Sequence, residues 1–300
     1  MGFTVAEAQA MRATVQRYGT IFQFGTQQRS DPRFRFAIEL VRNGYLGDLE
    51  QVIVGSASFT EVPTQPKEPV PEGLDYDFWL GPAEWSPYTT LRCTRNWTLI
   101  RDYSLGCLSG AWGIHHIDIA QWTMDADDSG PIAVEARGSI PQTGLYDTFQ
   151  FFESEHVYAN GSKLLHIDHI HAKKRFEQFN NPGSSMGILW QGSEGWVYVS
   201  RGYINASSPS LLRKVIGPNE IKLPVSNNHR RNFIDAVKSG TDPICPVGPG
   251  VKSEIVCQQA DIAIRIGQRL EWDNEKEQFI NHPIANRMLS SPMRGPWKLS

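Results

Sequence analysis

Between residues 132 and 201 the chain passes through five β-rich segments in succession, and this series constrains the fold more than any other feature. The segments are 132–138, 148–158, 163–173, 187–191 and 195–201, parted by Gly, Pro and Asn. Asn160-Gly161 has the chemistry of a two-residue hairpin turn. Residues 221–224 offer one more short strand. Helices are expected at 227–239 and 252–268, and the remainder to Ser300 reads as a tail along the surface. A run of strands followed by helices predicts an antiparallel sheet with helices on one face.

The first 60 residues follow another pattern. Val5, Ala8, Met11, Ala13 and Val15 recur among polar neighbours as in an amphipathic helix, with Thr4 and Glu7 spaced as a capping box and Gly19 as its stop. Residues 20–25, largely apolar, predict a short buried strand. Residues 31–43 predict a helix opening on Asp31-Pro32 and closing at Gly44, and 49–59 a second strand. Helix, strand, helix, strand is the grammar of the end of a βαβ sheet. No GxGxxG turn occurs; Gly248-Pro249-Gly250 lacks the third glycine and the helix that this fingerprint requires. Residues 62–85, with Pro63, Pro66, Pro69, Pro71 and Pro82, predict a long irregular connector of the kind that lines sites or interfaces.

A net charge of −3, with no clustering of Lys and Arg, excludes the basic footprint of a nucleic-acid binder. No apolar run approaches the ~18 residues that span a bilayer, and no signal-peptide core is present, so no membrane partner is expected. Cys93, Cys107, Cys245 and Cys257 show no CxxC spacing and read as reduced thiols, which places the chain in the cytoplasm.

Chemistry concentrates in Gly110-Ala111-Trp112-Gly113-Ile114-His115-His116-Ile117-Asp118. Helical spacing from Ile114 puts His115, Asp118 and Trp122 on one face, with His116 and Ala120 on the next. A helix start behind glycines approaches ligands closely. His115 and His116 are the acid/base candidates there, and Asp118 can orient an imidazole; buried, hydrogen-bonded polar residues are the competing explanation. Asp102 and Tyr103, just upstream, supply a second carboxylate and a phenol, and glycoside hydrolysis uses a carboxylate pair. His166, Asp168, His169 and His171 form a second cluster. On a strand each pair would face one side and, with His115 or His116, could hold a divalent metal; solvated histidines on a half-exposed strand are the other possibility. Gln27, Gln28 and Arg29 follow a strand end and either bind sugar hydroxyls or cap the next helix. Trp97 and Trp112 offer platforms for a sugar ring or core packing.

Several motifs together resemble the Gfo/Idh/MocA family: Gly25-Thr26-Gln27-Gln28-Arg29-Ser30, Asp75-Tyr76-Asp77-Phe78-Trp79-Leu80-Gly81-Pro82, the Trp112–Asp118 run, Gly192-Ser193-Glu194-Gly195-Trp196, Asn228-His229-Arg230-Arg231-Asn232-Phe233 and Ser291-Pro292-Met293-Arg294-Gly295-Pro296-Trp297. The resemblance runs end to end and implies a sugar-active oxidoreductase scaffold, with a Rossmann domain followed by an open sheet that covers the site and builds oligomers. The fold class expected is therefore α+β. Residues 1–48 would form a truncated Rossmann remnant, and 49–300 a substrate and oligomerisation domain with a large, mostly antiparallel open sheet.

The chain departs from the family pattern twice. It lacks the GxGxxG loop and the Glu-Lys-Pro motif, and Ala111 stands where the family places an aspartate four residues before His115. Bound NAD(P) is thus not expected, while a divalent metal remains open. The expected activity is hydrolysis or β-elimination of a glycoside without a dinucleotide, with His115 and His116 as acid/base. The alternative is a fragment or non-catalytic sugar-binding form of an NAD(P)-dependent oxidoreductase. The expected partners are a small sugar or glycoside and further copies of the chain, joined through the open sheet.

Overall fold

The computed structural model describes residues 2–179 and 184–299; the outermost residues of the expected segments, Met1 and Ser300, lie outside them. The strands are β1 Leu49–Ser56, β2 Ala133–Ser139, β3 Phe151–Val157, β4 Lys163–Asp168, β5 Ile188–Gly192, β6 Gly195–Ser200, β7 Tyr203–Ala206, β8 Leu270–Asp273 and β9 Gln278–Phe279. The α-helices are α1 Val5–Tyr18, α2 Pro32–Arg42, α3 Tyr76–Leu80, α4 Ile114–Thr123, α5 His169–Glu177, α6 His229–Ser239, α7 Val247–Ile266 and α8 Pro283–Arg287.

The strands join in the order β7-β6-β5-β1-β4-β3-β2-β8-β9. Among the described pairs only β1 and β4 run parallel; every other neighbouring pair is antiparallel. This is the large, mostly antiparallel open sheet that the family resemblance implies, built largely from the β-rich series.

Side-chain alternation decides which face each helix covers. Val52 and Val54 of β1 join Phe34, Ile38 and Leu40 of α2 and Ile117 and Ala120 of α4 in one buried cluster. Ile53, between them, points the other way into a cluster with Ala172 and Phe176 of α5. The helices α2, α4 and α7 therefore line one face, and α5 adds a cover over the centre of the other. Fully burying an aliphatic side chain contributes ~1.5–3 kcal/mol, so β1, buried on both sides, anchors the sheet.

The N-terminal segment packs into these same cores. Thr4 caps α1 by accepting from Glu7 N, and Glu7 Oε2 in turn accepts from Phe3 N at 2.7 Å. Val5 and Ala8 lie against Val251, Ile255 and Ile262 of α7. Residues 20–25, expected as a strand, are irregular: Phe24 N donates to Cys245 O at 2.8 Å, but no neighbouring strand offers a ladder, and a strand persists only by pairing.

Three other local expectations change. Residues 221–224 form no strand. The tail holds β8, β9 and α8, with Trp272 packed edge-on against Phe279 at 4.9 Å. The connector at 62–85 contains the one-turn helix α3, capped by Asp75. All four cysteines are free.

Candidate functional site

The start of α4 is built on a close approach. A Cβ on Gly113 would lie 2.4 Å from Leu108 O and 2.8 Å from His166 Cε1, so only glycine lets the turn sit against β4. Ile117, Ile119 and Ala120 are wholly buried, and α4 is a central rather than a half-exposed helix. That burial settles what its polar residues can do.

Asp118 does not orient His115 through a hydrogen bond. Its two oxygens accept from Arg29 Nε and Nη2, each at 2.8 Å, and Oδ1 also accepts from Ser253 Oγ at 3.2 Å. Arg29 holds Asp127 as well, at 2.8 and 2.7 Å, and lies 5.0 Å over the Trp122 ring. Both residues, expected in substrate binding and catalysis, are instead committed to a buried ion network. The helical-face argument grouped His115 with Asp118, but the guanidinium fork captures the carboxylate first.

His116 is wholly buried against Phe34 and Trp112, with ring centroids at 5.9 and 5.8 Å, and neither ring nitrogen has a partner among the described residues. Burial pushes its pKa down to about 3. A neutral imidazole sealed from solvent does not exchange protons with a substrate, so His116 leaves the acid/base pair.

His115 is only half-buried. Burial first, and then the charge of Arg201, push its pKa down to about 4. Gln28 turns its amide nitrogen to His115 Nδ1 at 3.2 Å and its oxygen to Arg201 Nε and Nη2 at 3.3 Å each; the Gln27 oxygen accepts from Arg201 Nη2 at 3.2 Å. Arg201 stacks 4.3 Å over Trp112. Gln27, Gln28, Trp112 and His115 thus come together around an arginine that the sequence reading did not single out. Arg201, expected as the last residue of the β-rich segment 195–201, sits instead in an exposed turn just after β6, a place that carries no sequence signal.

The histidine cluster of β4 does not converge on a metal. Asp168 ends the strand by capping α5, accepting from Ile170 N at 2.9 Å and His171 N at 3.3 Å, so His169 and His171 are helical rather than on the strand. His171 Nδ1 meets Asp168 Oδ2 at 2.5 Å, His169 Nδ1 meets Ser58 Oγ at 2.6 Å, and His166 Nε2 meets Ser56 Oγ at 2.7 Å. Among the described residues no group of three His, Cys, Asp or Glu side chains is arranged to hold a metal ion.

Asp102, Tyr103 and Trp97 lie elsewhere, in a pocket of about 820 Å³ that Trp79, Ser109 and Glu254 also line. Asp102 accepts no hydrogen bond among the described residues; partial burial and then the nearby Asp147 raise its pKa, while Arg92 opposes them. Burial likewise raises Tyr103, whose hydroxyl accepts from Arg92 Nη1 at 2.8 Å and whose ring meets Trp79 at 5.2 Å. Glu254 accepts Ser109 Oγ at 3.0 Å on each oxygen and Gln258 Nε2 at 3.2 Å. Sequence reasoning missed Glu254, although Ser253, Glu254, Gln258 and Asp261 interrupt the apolar face of a long helix, the pattern of polar groups aimed inward.

A family profile described as "Oxidoreductase family, C-terminal alpha/beta domain" matches residues 56–299. The chain belongs to this Gfo/Idh/MocA oxidoreductase family. A search among curated proteins finds no match. Among solved structures, the chain is similar to an aldose-aldose oxidoreductase from Caulobacter crescentus complexed with glycerol, at 18% identity and TM-score 0.60, covering 90% of this chain and 70% of that one. A myo-inositol 2-dehydrogenase from Lactobacillus plantarum aligns at 18% identity and TM-score 0.53, with coverage of 90% and 70%. The WlbA dehydrogenase from Bordetella pertussis, in complex with NADH and UDP-GlcNAcA, aligns at 12% identity and TM-score 0.59, with coverage of 91% and 70%. At these identities the likeness shows the Gfo/Idh/MocA fold.

Among the described residues no glycine-rich turn leads from a parallel strand into a helix with free N–H groups. A pyrophosphate cradle needs a glycine-rich turn from a parallel strand into a helix with free N–H groups. Of the one described parallel pair, β1 runs into irregular chain, and β4 runs into α5, whose first N–H groups already face the Asp168 carboxylate.

Proposed function

We propose that this protein binds a sugar or glycoside in the 820 Å³ pocket and acts on it by proton transfer, as a hydrolase or lyase, with Asp102 as the acid/base group. The observation that carries this reading is Asp102 itself. It is the carboxylate of the pocket wall that burial lifts and no described hydrogen bond occupies, whereas Asp118 and His116 are sequestered. A carboxyl group lifted toward neutrality is suited to donate a proton to a leaving oxygen. Glu84 lines the same pocket and its charge reaches Asp102, which supplies a second carboxylate. Trp79 and Trp97 give apolar faces for the C–H side of a sugar ring. The Tyr103 phenol, fixed by Arg92, presents a hydroxyl to sugar oxygens. The family's carbohydrate-active neighbours support the substrate class.

The test is turnover of a panel of aryl glycosides by the wild type and by Asp102→Asn, with sugar binding followed through tryptophan fluorescence. Removing a general acid lowers the rate by ~10²-fold or more while binding persists. Unchanged turnover in Asp102→Asn, or sugar binding that leaves tryptophan emission unaltered, overturns the reading.

A further inference from the structure

The cluster at the start of α4 offers donors and almost nothing else. With the Gln28 amide nitrogen on His115 Nδ1, that ring nitrogen is an acceptor, and in the neutral imidazole the proton must then sit on Nε2. The opposite amide orientation would press an NH₂ group against the guanidinium, so the network sets the tautomer. Arg201 spends Nε and Nη2 on the oxygens of Gln28 and Gln27, which leaves the Nη1 edge without a partner among the described residues. The indole of Trp112 carries the guanidinium at 4.3 Å and fixes its plane. The Trp112 Nε1–H is itself buried and unpartnered.

Among the described residues no carboxylate forms an ion pair with Arg201. Burial is what lowers Arg201, with no acidic neighbour acting on it. Asp118, whose field reaches His115, is held by Arg29. The remaining charged group that acts on His115 is His229, which Phe24 O and Ser30 Oγ engage at 2.8 and 3.1 Å. Arg201 and His115 are held by the two ends of one Gln28 amide, and the guanidinium charge acts on the imidazole. A guanidinium with a free Nη1 and an adjacent imidazole donor match two oxygens of one negatively charged group.

We infer that Arg201 and His115 form an oxyanion-binding subsite, taking the carboxylate of a sugar acid or the phosphate of a sugar ester, with Trp112 as its platform. None of the three lines the Asp102 pocket, so the subsite stands independently of the acid/base reading. A bound anion also stabilises protonated His115, which raises the low value that burial, and then Arg201, impose on it.

The experiment titrates the full chain with glucuronate, inorganic phosphate and glucose, following heat and the His115 imidazole NMR signal. Glucuronate or phosphate should shift that signal and glucose should not; whichever anion binds tighter identifies the source. Arg201→Met should weaken anion binding ~10–100-fold, the range for losing a charge-assisted pair of hydrogen bonds. Arg201→Lys, which keeps the charge and loses the fork, should fall between. Arg201 is exposed, so neither variant threatens the fold. Asp102→Asn should leave anion affinity unchanged. The proposal is overturned if neither anion moves His115, if glucose moves it equally, or if Arg201→Met binds anions as the wild type does.

Discussion

Arg29 Nε and Nη2 meet the two oxygens of Asp118 at 2.8 Å each, with both side chains sealed from solvent and Trp122 lying 5.0 Å beneath the guanidinium. The pair ties the turn after residue 26 to the middle of α4, and Ser253 extends the tie to α7. It holds in place the chain that presents Gln27, Gln28 and His115.

Breaking one side of this pair strands a buried charge. Arg29→Met should therefore cost ~3–5 kcal/mol of stability, measured by urea unfolding, far more than an exposed ion pair. Arg29→Met combined with Asp118→Leu should recover part of the loss, because no fully buried charge is left unpaired; Asp127, the other partner of Arg29, is partly exposed to water. A double variant less stable than the sum of its singles argues against the charge explanation.

The buried histidines set the response to acid. Burial first of all pushes His116 and His156 down to about 3, against an ordinary value of 6.5. Between those values the unfolded chain binds protons that the folded chain refuses, so stability is highest above pH 6.5 and falls as pH drops toward 3. Each group contributes a slope of up to ~1.4 kcal/mol per pH unit. His116→Phe removes one such group along with two unpartnered ring nitrogens. It should raise stability at pH 7 by ~1–3 kcal/mol and flatten the acid slope, both read from unfolding midpoints at pH 7 and pH 5.

Much of the fold is visible in the sequence because period-2 alternation and Gly/Asn punctuation are local. Phe152, Ser154 and His156 turn inward on β3 while Glu153 and Glu155 turn outward. The site is less legible, because partner choice is not local. Nothing near His115 in sequence says that Arg29, 89 residues before Asp118, takes its carboxylate, or that Arg201 reaches back to Trp112. The strand expected to run on through His169 and His171 stops because Asp168 caps a helix, a choice that its β-branched neighbours conceal. Residues 20–25 are apolar enough for a strand but find no strand to pair with.

That cap gives its own prediction. Asp168 accepts from two N–H groups of α5 and from Phe152 N at 3.2 Å. Asp168→Ala should cost ~1–2 kcal/mol and should speed amide exchange in residues 169–172 ahead of the rest of the helix. Exchange that accelerates uniformly over the chain would mean a global rather than a capping effect.

If copies of the chain associate through the open sheet, the contact carries an electrostatic expectation. The outer face of β2, β3 and β4 bears Glu135, Arg137, Glu153, Glu155 and Lys163, with Arg137–Glu153 at 3.1 Å and Lys163–Glu155 at 3.0 Å. α5 covers the centre of that face. We propose that copies of the chain meeting here do so through complementary charge, so the mass seen by light scattering should fall toward one chain as salt is raised. A mass of one chain at every salt concentration counts against association, and a larger mass independent of salt counts against this face.

The pocket makes the sharpest use of direction. Burial raises both Asp102 and Tyr103, and Arg92 lowers both. If Asp102 donates the proton, the rate falls as pH rises through its raised value, because the acid form is lost. Arg92→Met removes the opposing charge, so Asp102 stays protonated to higher pH and the falling limb must move upward. The same substitution frees the Tyr103 hydroxyl from its 2.8 Å donor, which should weaken sugar binding without moving that limb. A pH–rate profile of Arg92→Met separates the two effects: a limb that shifts upward supports Asp102 as the acid, and one that stays or moves down assigns the proton to another group.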